Sequence, residues 1–340
     1  HAGRSETPSF RAGAQACSAR RPMFQTTKVF AMNILVTPRS FGKNNPELFD
    51  RLKAAGLNVI RNETGGILDE KSMIELIAPC EGVIIGVDPL NAKVLDAAKN
   101  LVAISKYGVG LDNIDLALCR ERGIRVSRTV GANSNAVADY ALALMLAVAR
   151  KVCLIDKRCH EKDWSKINGI DLYGKTLGII GLGAIGKCVA RRANGFSMKI
   201  LGFDPCWDDD FCTQMNVERA DIDRICREAD FISLHCLLND ETANLINERR
   251  IGMMKKNAII INTARAGLID GKALLGALER KAIYGAGLDV FGQEPPENRA
   301  WYELDNLVMG SHCSSSTLGA TEMMGNMAVT NLLNDLNLPE

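Results

Sequence analysis

Residues 176–192 read as an apolar strand, a turn built on three glycines and a helix, and this unit restricts the chain to few folds. The turn is Gly181-Leu182-Gly183-Ala184-Ile185-Gly186, with Thr176–Ile180 before it and 185–192 after it. In a parallel sheet the first glycine permits the tight turn. The second lets the backbone approach a pyrophosphate, and the third lets the helix lie close on its strand. The helix N-terminus then offers N–H groups and a partial positive charge to phosphate. The spacing alone is a weak signal. Asp204 strengthens it: it ends the next apolar run, Lys199–Phe203, 18 residues after Gly186. A carboxylate there can accept the ribose hydroxyls of a dinucleotide. Pro205-Cys206-Trp207 follow, with no Arg or Lys to hold a 2′-phosphate, so the spacing favours NAD over NADP.

The same alternation of apolar runs and helical spacing fills the chain from Met32 onward. Strands are expected at 33–37, 58–60, 82–87 and 101–105, with helices at 46–55, 72–78 and 91–98; this unit has no phosphate-type glycine run. A long helix is expected from Asn135 to about Val152, started by the capping residues Asn133-Ser134-Asn135. It is apolar nearly all round and so reads as buried between domains or subunits. Further strands are expected at 231–234, 258–262, 286–289 and 307–309, and a last helix at 318–333 should return to the first unit. Continuous apolar strands between helices imply α/β architecture: two Rossmann-like doubly wound parallel-sheet domains with the active-site cleft between them. The expected division is 32–132 plus 311–340 for the substrate (catalytic) domain and 133–310 for the NAD-binding domain.

Composition narrows the partners. A net charge of +1 gives no electrostatic reason to expect nucleic acid or membrane. The longest apolar stretch, 136–149, contains Asp139 and is too short to span a bilayer. The eleven cysteines include no C-x-x-C pair, which leaves zinc and disulfide frameworks without supporting spacing; no metal is expected, and free thiols suit a cytoplasmic protein. Residues 1–31 carry Arg4, Arg11, Arg20, Arg21 and Lys28 against Glu6 alone, a composition that resembles an organellar transit peptide. Met32 directly before the first strand favours a poorly ordered leader instead.

A hydride leaving a secondary alcohol needs a base for the hydroxyl proton, and His suits neutral pH. The chain has four histidines. His1 lies in the leader, His160 in a charged stretch, and His235 at a strand end beside the cofactor fold. His312 has Glu294 eighteen residues upstream, in Gln293-Glu294-Pro295-Pro296, where a carboxylate could orient the imidazole. Arg265 supplies a planar fork for a carboxylate or carbonyl. Each landmark follows an apolar run, the strand edge where ligands bind in an open α/β sheet. The chemistry indicated is nicotinamide-dependent oxidation and reduction of a 2-hydroxy or 2-keto acid.

Taken together, several motifs in order resemble the D-isomer-specific 2-hydroxyacid dehydrogenase family, in particular its phosphoglycerate-dehydrogenase-like branch. They are Ser105-Lys106-Tyr107-Gly108-Val109-Gly110-Leu111-Asp112-Asn113-Ile114-Asp115, Gly131-Ala132-Asn133-Ser134-Asn135-Ala136-Val137-Ala138-Asp139, the glycine turn, Asn262-Thr263-Ala264-Arg265-Ala266-Gly267, Gly287-Leu288-Asp289-Val290-Phe291 and Glu294-Pro295. The resemblance implies that Arg265 binds and polarises the substrate, that His312 exchanges its proton, and that Glu294 holds His312 protonated when needed. It implies that N–H groups around Val109 and Gly110 take the substrate carboxylate. It places Asp289 on the nicotinamide amide, and Ala184, Ile185, Asp204, Cys236 and Thr263 along the rest of the NAD site. It also implies a homodimer built partly on the long helix. Two local differences stand out: Ser311-His312-Cys313-Ser314 replaces the family's usual Pro-His and following Ile-Gly or Leu-Gly, and Leu237 stands where Pro is common.

For the substrate, Arg39 and Lys43 lie in the loop after the first strand, facing the expected cleft. Arg39 could pair with a phosphate, which favours 3-phosphoglycerate or a similar anionic acid. Glyoxylate or hydroxypyruvate reduction is the near alternative. An NAD-sensing, corepressor-type binding protein is the more distant one.

Overall fold

The computed structural model of the protein describes residues 32–339. The expected leader, 1–31, and Glu340 lie outside the described residues.

The first sheet is built from β1 (Asn33–Val36), α1 (Glu47–Ala54), β2 (Asn58–Arg61), α2 (Glu70–Ile77), β3 (Gly82–Ile85), α3 (Ala92–Ala97), β4 (Ala103–Lys106), α4 (Leu116–Glu121) and β5 (Arg125–Arg128). Its five strands run parallel in the order β2-β1-β3-β4-β5. Two helices follow, α5 (Ser134–Ala149) and α6 (Val152–His160). The second sheet then takes β6 (Thr176–Ile180), α7 (Ala184–Asn194), β7 (Lys199–Phe203), α8 (Asp209–Gln214), β8 (Val217–Arg219), α9 (Ile222–Glu228), β9 (Phe231–Leu234) and α10 (Glu248–Met253). It is completed by β10 (Ile259–Asn262), α11 (Gly271–Glu279), β11 (Gly285–Leu288) and β12 (Leu307–Met309), and the last helix is α12 (Leu318–Asp335). Its seven parallel strands are ordered β12-β11-β10-β9-β6-β7-β8. Strand order reverses between β6 and β9, so the glycine turn after β6 opens at a switch point, where ligands bind.

Both sheets are covered on both faces. Strands β3, β9, β10 and β11 are buried at every residue, as continuous apolar runs in parallel sheets must be. One core of the second sheet joins α5 and α7 through Leu144, Met145, Val189 and Ile179; the opposite core joins Ile225, Ile232, Ile260 and Leu274. α12 crosses back to the first sheet: Ala328, Val329 and Leu332 pack with Ile34 and Ile84, and Ser105 Oγ donates to Ala328 O at 2.8 Å.

Sequence and structure differ at several elements. The long helix stops at Ala149, and Lys151, with φ 53°, turns the chain into α6, whose residues are not buried. Lys151 Nζ stacks over the Tyr284 ring at 4.6 Å from its centre, which helps hold that left-handed residue. Asn133 stands before α5 without a side-chain capping bond, and its Oδ1 is buried without a partner among the described residues. Sequence periodicity passes over α4, β5, α8, β8, α9, α10 and α11. The strands among these, β5 and β8, are polar edge strands of Arg-Val-Ser-Arg and Val-Glu-Arg, too short and too exposed to show an apolar pattern. No helix among the described residues is long and apolar enough to cross a membrane.

Candidate active site

Because every strand is parallel, each sheet has one carboxyl edge, and the two edges meet. Their meeting point is an ion pair: Arg265 Nε, just after β10, lies 2.6 Å from Asp112 Oδ2, in the turn after β4. Arg265 Nη1 donates to Ala264 O at 2.8 Å, and Asn262 Nδ2 donates to Arg265 O at 2.8 Å. Nη2 lies against the face of Gly110, where an added Cβ would come within 1.5 Å of it. That glycine lets the guanidinium rest on the backbone of the turn. In the same turn Gly108 has φ 131°, and its N–H and C=O pair with Thr129. The N–H groups of Val109 and Gly110 have no acceptor among the described residues, so they remain available to an anion.

His312, after β12, has a left-handed backbone (φ 57°), and its N–H donates to Asp289 O at 2.9 Å. Its Nδ1 is 2.9 Å from Glu294 Oε2. Glu294 is itself oriented, because Phe291 N donates to its Oε1 at 3.0 Å. With Nδ1 engaged, Nε2 is the nitrogen left for a substrate oxygen. Asp289 is fully buried, and its carboxylate accepts from the N–H groups of Cys313 (3.0 Å) and Ser314 (2.8 Å). It therefore fixes the His312 turn from below. Cys313 donates its thiol toward Tyr140 Oη at 3.4 Å, so the residues after His312 that differ from the family pattern anchor the turn onto α5.

The other histidines are placed elsewhere. His160 is exposed on α6 beside Asp156. His235 Nε2 is 2.8 Å from Ser233 Oγ, its Nδ1 is buried without a partner among the described residues, and burial pulls its pKa down to about 4. A ring that stays neutral at working pH is a poor proton donor.

The glycine turn fits a dinucleotide. Gly181 has φ 99°, and a Cβ there would meet Cys236 N at 2.5 Å; one on Gly186 would meet Gly181 O at 1.9 Å. Only glycine closes this turn. Gly183 faces open space, with nothing within 4 Å of an added Cβ, and no side chain caps α7, so Ala184 and Ile185 begin a helix whose first N–H groups face outward. Asp204 accepts from Leu182 N and Cys206 N, both at 2.7 Å, which holds its carboxylate at the end of β7. Thr263 Oγ1 is buried without a partner among the described residues, as expected of a hydroxyl whose partner is a bound molecule. Cys236 is half-buried beside the turn, and burial pushes its thiol up to about 11. Arg39 is exposed, with no hydrogen bond or ion pair among the described residues. Its loop packs on Tyr107 through Ser40 and Phe41.

Sequence reasoning assigned no role to Asp112 or Lys106, although both stood in a quoted motif. For Lys106 the one signal was a charged residue at the end of a short strand, Ala-Ile-Ser-Lys.

Fold and site together define an NAD-dependent dehydrogenase of 2-hydroxy acids. A family model described as "D-isomer specific 2-hydroxyacid dehydrogenase, NAD binding domain" matches residues 142–314. A glyoxylate reductase of Korarchaeum cryptofilum is 40% identical over 272 residues, 78% of this chain and 82% of that protein. A hydroxypyruvate reductase of Thermotoga maritima is 39% identical over 277 residues, 80% of this chain and 90% of its own. A D-3-phosphoglycerate dehydrogenase of Methanocaldococcus jannaschii is 39% identical over 84% of this chain but only 50% of its own length. A solved structure of Aquifex aeolicus D-lactate dehydrogenase with NAD and lactic acid has a TM-score of 0.79 and 29% identity, covering 90% of this chain and 97% of that one. The chain belongs to the D-isomer-specific 2-hydroxyacid dehydrogenase family.

Gly110→Ala should force Arg265 off the turn. We expect kcat/KM to fall by at least about tenfold with NADH affinity little changed, since small misplacements of a binding group are costly. Wild-type kinetics in that variant would mean that the contact does not position Arg265.

Proposed function

We propose that the protein interconverts a small 2-keto acid and its D-2-hydroxy acid, with glyoxylate or hydroxypyruvate as the keto acid. The observation that carries this reading is the pairing of His312 Nδ1 with Glu294 at 2.9 Å on the same strand edge from which Arg265 reaches Asp112. The named activities of the glyoxylate and hydroxypyruvate reductases, matched over most of their lengths, support the substrate size. A phosphorylated acid is the second reading, favoured by the unengaged Arg39 guanidinium and by the phosphoglycerate dehydrogenase relative.

When bound, NADH supplies the hydride. The N–H groups of Val109 and Gly110 take the substrate carboxylate, and Arg265 spans carboxylate and keto oxygen, polarising the carbonyl. His312 Nε2 gives a proton to that oxygen in reduction and takes it back in oxidation, while Glu294 keeps the ring oriented and offsets its charge. Gly181, Gly183, Ala184, Ile185 and Gly186 would hold the pyrophosphate and Asp204 the ribose; Cys236 and Thr263 would line the remaining cofactor site. Asp289, which the family resemblance places on the nicotinamide amide, is fully buried here with both carboxylate oxygens accepting from the His312 turn, so its part in the cofactor site would be to hold that turn. Substrate residues divide as 32–132 plus 311–340 and cofactor residues as 133–310, a division supported by the packing of α12 on the first sheet.

A homodimer is part of this reading. Val152, Trp164 and Tyr173, three large side chains in the segment following α5, are 52%, 81% and 73% exposed, a feature that would suit cover by a second copy. Light scattering should give the mass of two chains; a single-chain mass at micromolar concentration would contradict it.

NADH oxidation across glyoxylate, hydroxypyruvate, 3-phosphohydroxypyruvate, pyruvate and 2-ketoglutarate tests the assignment. We expect turnover on the first two, falling about a hundredfold to ten-thousandfold in His312→Ala with NADH binding retained. A preference for the phosphorylated acid, abolished in Arg39→Ala, would select the second reading. Tight NADH binding without turnover on any acid would contradict both and favour a cofactor-sensing protein.

A further inference from the structure

Beneath the Gly108–Asn113 turn lies a charged group that the proposed chemistry does not use. Lys106 ends β4, is 5% exposed, and its ammonium donates to Gly86 O and, at 2.7 Å, to Asn113 Oδ1. Asn113 extends the clamp, donating from Nδ2 to Gly86 O and to Asp88 O, while Leu90 N donates to Asn113 O at 2.8 Å. The ammonium thus ties the end of β3 to the far side of the turn after β4. Lys106 Cε lies 3.9 Å from the position of a Cβ on Gly108, so the lysine stem fills the space directly under the turn.

The surrounding charges are arranged around this cation. Arg265 approaches from the loop after β10, Asp112 belongs to the turn itself, and Asp88 follows β3; all three act on Lys106 electrostatically. Asp88 is buried, and its carboxylate is taken by Thr37 Oγ1 at 2.5 Å and by Leu68 N at 2.8 Å. Asp112 is already held by Arg265. The two cations and two carboxylates balance, and a substrate carboxylate arriving at Val109 and Gly110 would be the extra negative charge. A buried lysine is costly to maintain unless its hydrogen bonds and neighbours compensate. Here burial and the nearby Arg265 guanidinium pull its pKa down to about 8.

Resting on the keto-acid reading above, we propose that Lys106 is a positioning residue for the substrate carboxylate: clamped between Gly86 and Asn113, it holds the Val109–Gly110 amides in place and supplies positive charge beneath them. Lys106 touches neither substrate nor cofactor. It acts through the turn, and through the turn on Asp112 and Arg265.

The sign of the pH effect follows. Lys106 is charged below about pH 8 and neutral above it, so anion binding in the wild type should weaken as pH rises through that value. Arginine stays charged throughout this range. Every other charge that acts on the anion is common to wild type and Lys106→Arg and cancels in their ratio.

The test compares wild type, Lys106→Arg and Lys106→Met. Glyoxylate kinetics and the Kd of oxamate, an unreactive keto-acid analogue, for the NADH complex are measured from pH 7 to pH 9.5. For Lys106→Met we expect KM and oxamate Kd to rise about tenfold or more, with kcat changed less than about threefold and the Kd of NADH unaltered. Lys106→Arg should recover most of the affinity, and the ratio of wild-type to Lys106→Arg oxamate Kd should increase with pH. KM within twofold of wild type in Lys106→Met would overturn the proposal. So would loss of NADH binding and kcat together without recovery in Lys106→Arg, which would make the lysine purely structural. Absence of turnover in the wild type on every keto acid would instead overturn the functional reading, a failure visible without either variant.

Discussion

The contact between Arg265 and Asp112 is the point on which the site depends, because it joins loops from two separate sheets. Neither sheet alone holds a complete set of groups. The five-stranded sheet presents the turn with free amides; the seven-stranded sheet presents the glycine turn, Arg265 and His312. Arginine suits the junction because its planar fork can serve three directions at once: Nε to Asp112, Nη1 to Ala264 O, and Nη2 against Gly110. A lysine could satisfy only one of these with defined geometry. The pair is partly exposed, so its value lies in geometry more than in stability, as surface ion pairs contribute little to folding.

Around this junction, rigidity comes from polar side chains anchored by hydrogen bonds to the backbone, Asp289 and Lys106 buried, Asp204 partly buried and Glu294 exposed. Asp289 fixes the His312 turn, Glu294 is aimed by Phe291 N, Asp204 is aimed by Leu182 N and Cys206 N, and Lys106 braces the Gly108–Asn113 turn from below. Each candidate binding group is thus itself held by a second interaction. That arrangement reduces the reorganisation needed when substrate arrives. At Gly110, Gly181 and Gly186 an added side chain would intrude on a neighbour, so glycine is required at these three points of the site.

Much of this was legible in the sequence because parallel sheets leave a strong signature. Strands buried on both faces must be apolar throughout, so β3, β6, β9 and β10 stood out, and the polar residues ending them marked the ligand edge. Edge strands such as β5 and short helices such as α8 carry too few apolar residues to show a period. The stop of α5 at Ala149 was hidden because neither glycine nor proline marks it; a left-handed Lys151 makes the break. Within the site, Arg265, Glu294 and His312 were identifiable from chemical type and order. Asp112 and Lys106 were not, because their importance lies in contacts between residues far apart in the chain or on opposite sides of a turn.

The most direct test of the account is a double-mutant cycle on kcat/KM for glyoxylate, using Arg265→Lys, Asp112→Asn and the double variant. If the contact across the cleft sets the geometry of the guanidinium, the double variant should lose little more than the worse single variant, giving a coupling of about 1 kcal/mol or more. Losses that simply add would contradict the account and mean that Arg265 reaches its working position without Asp112.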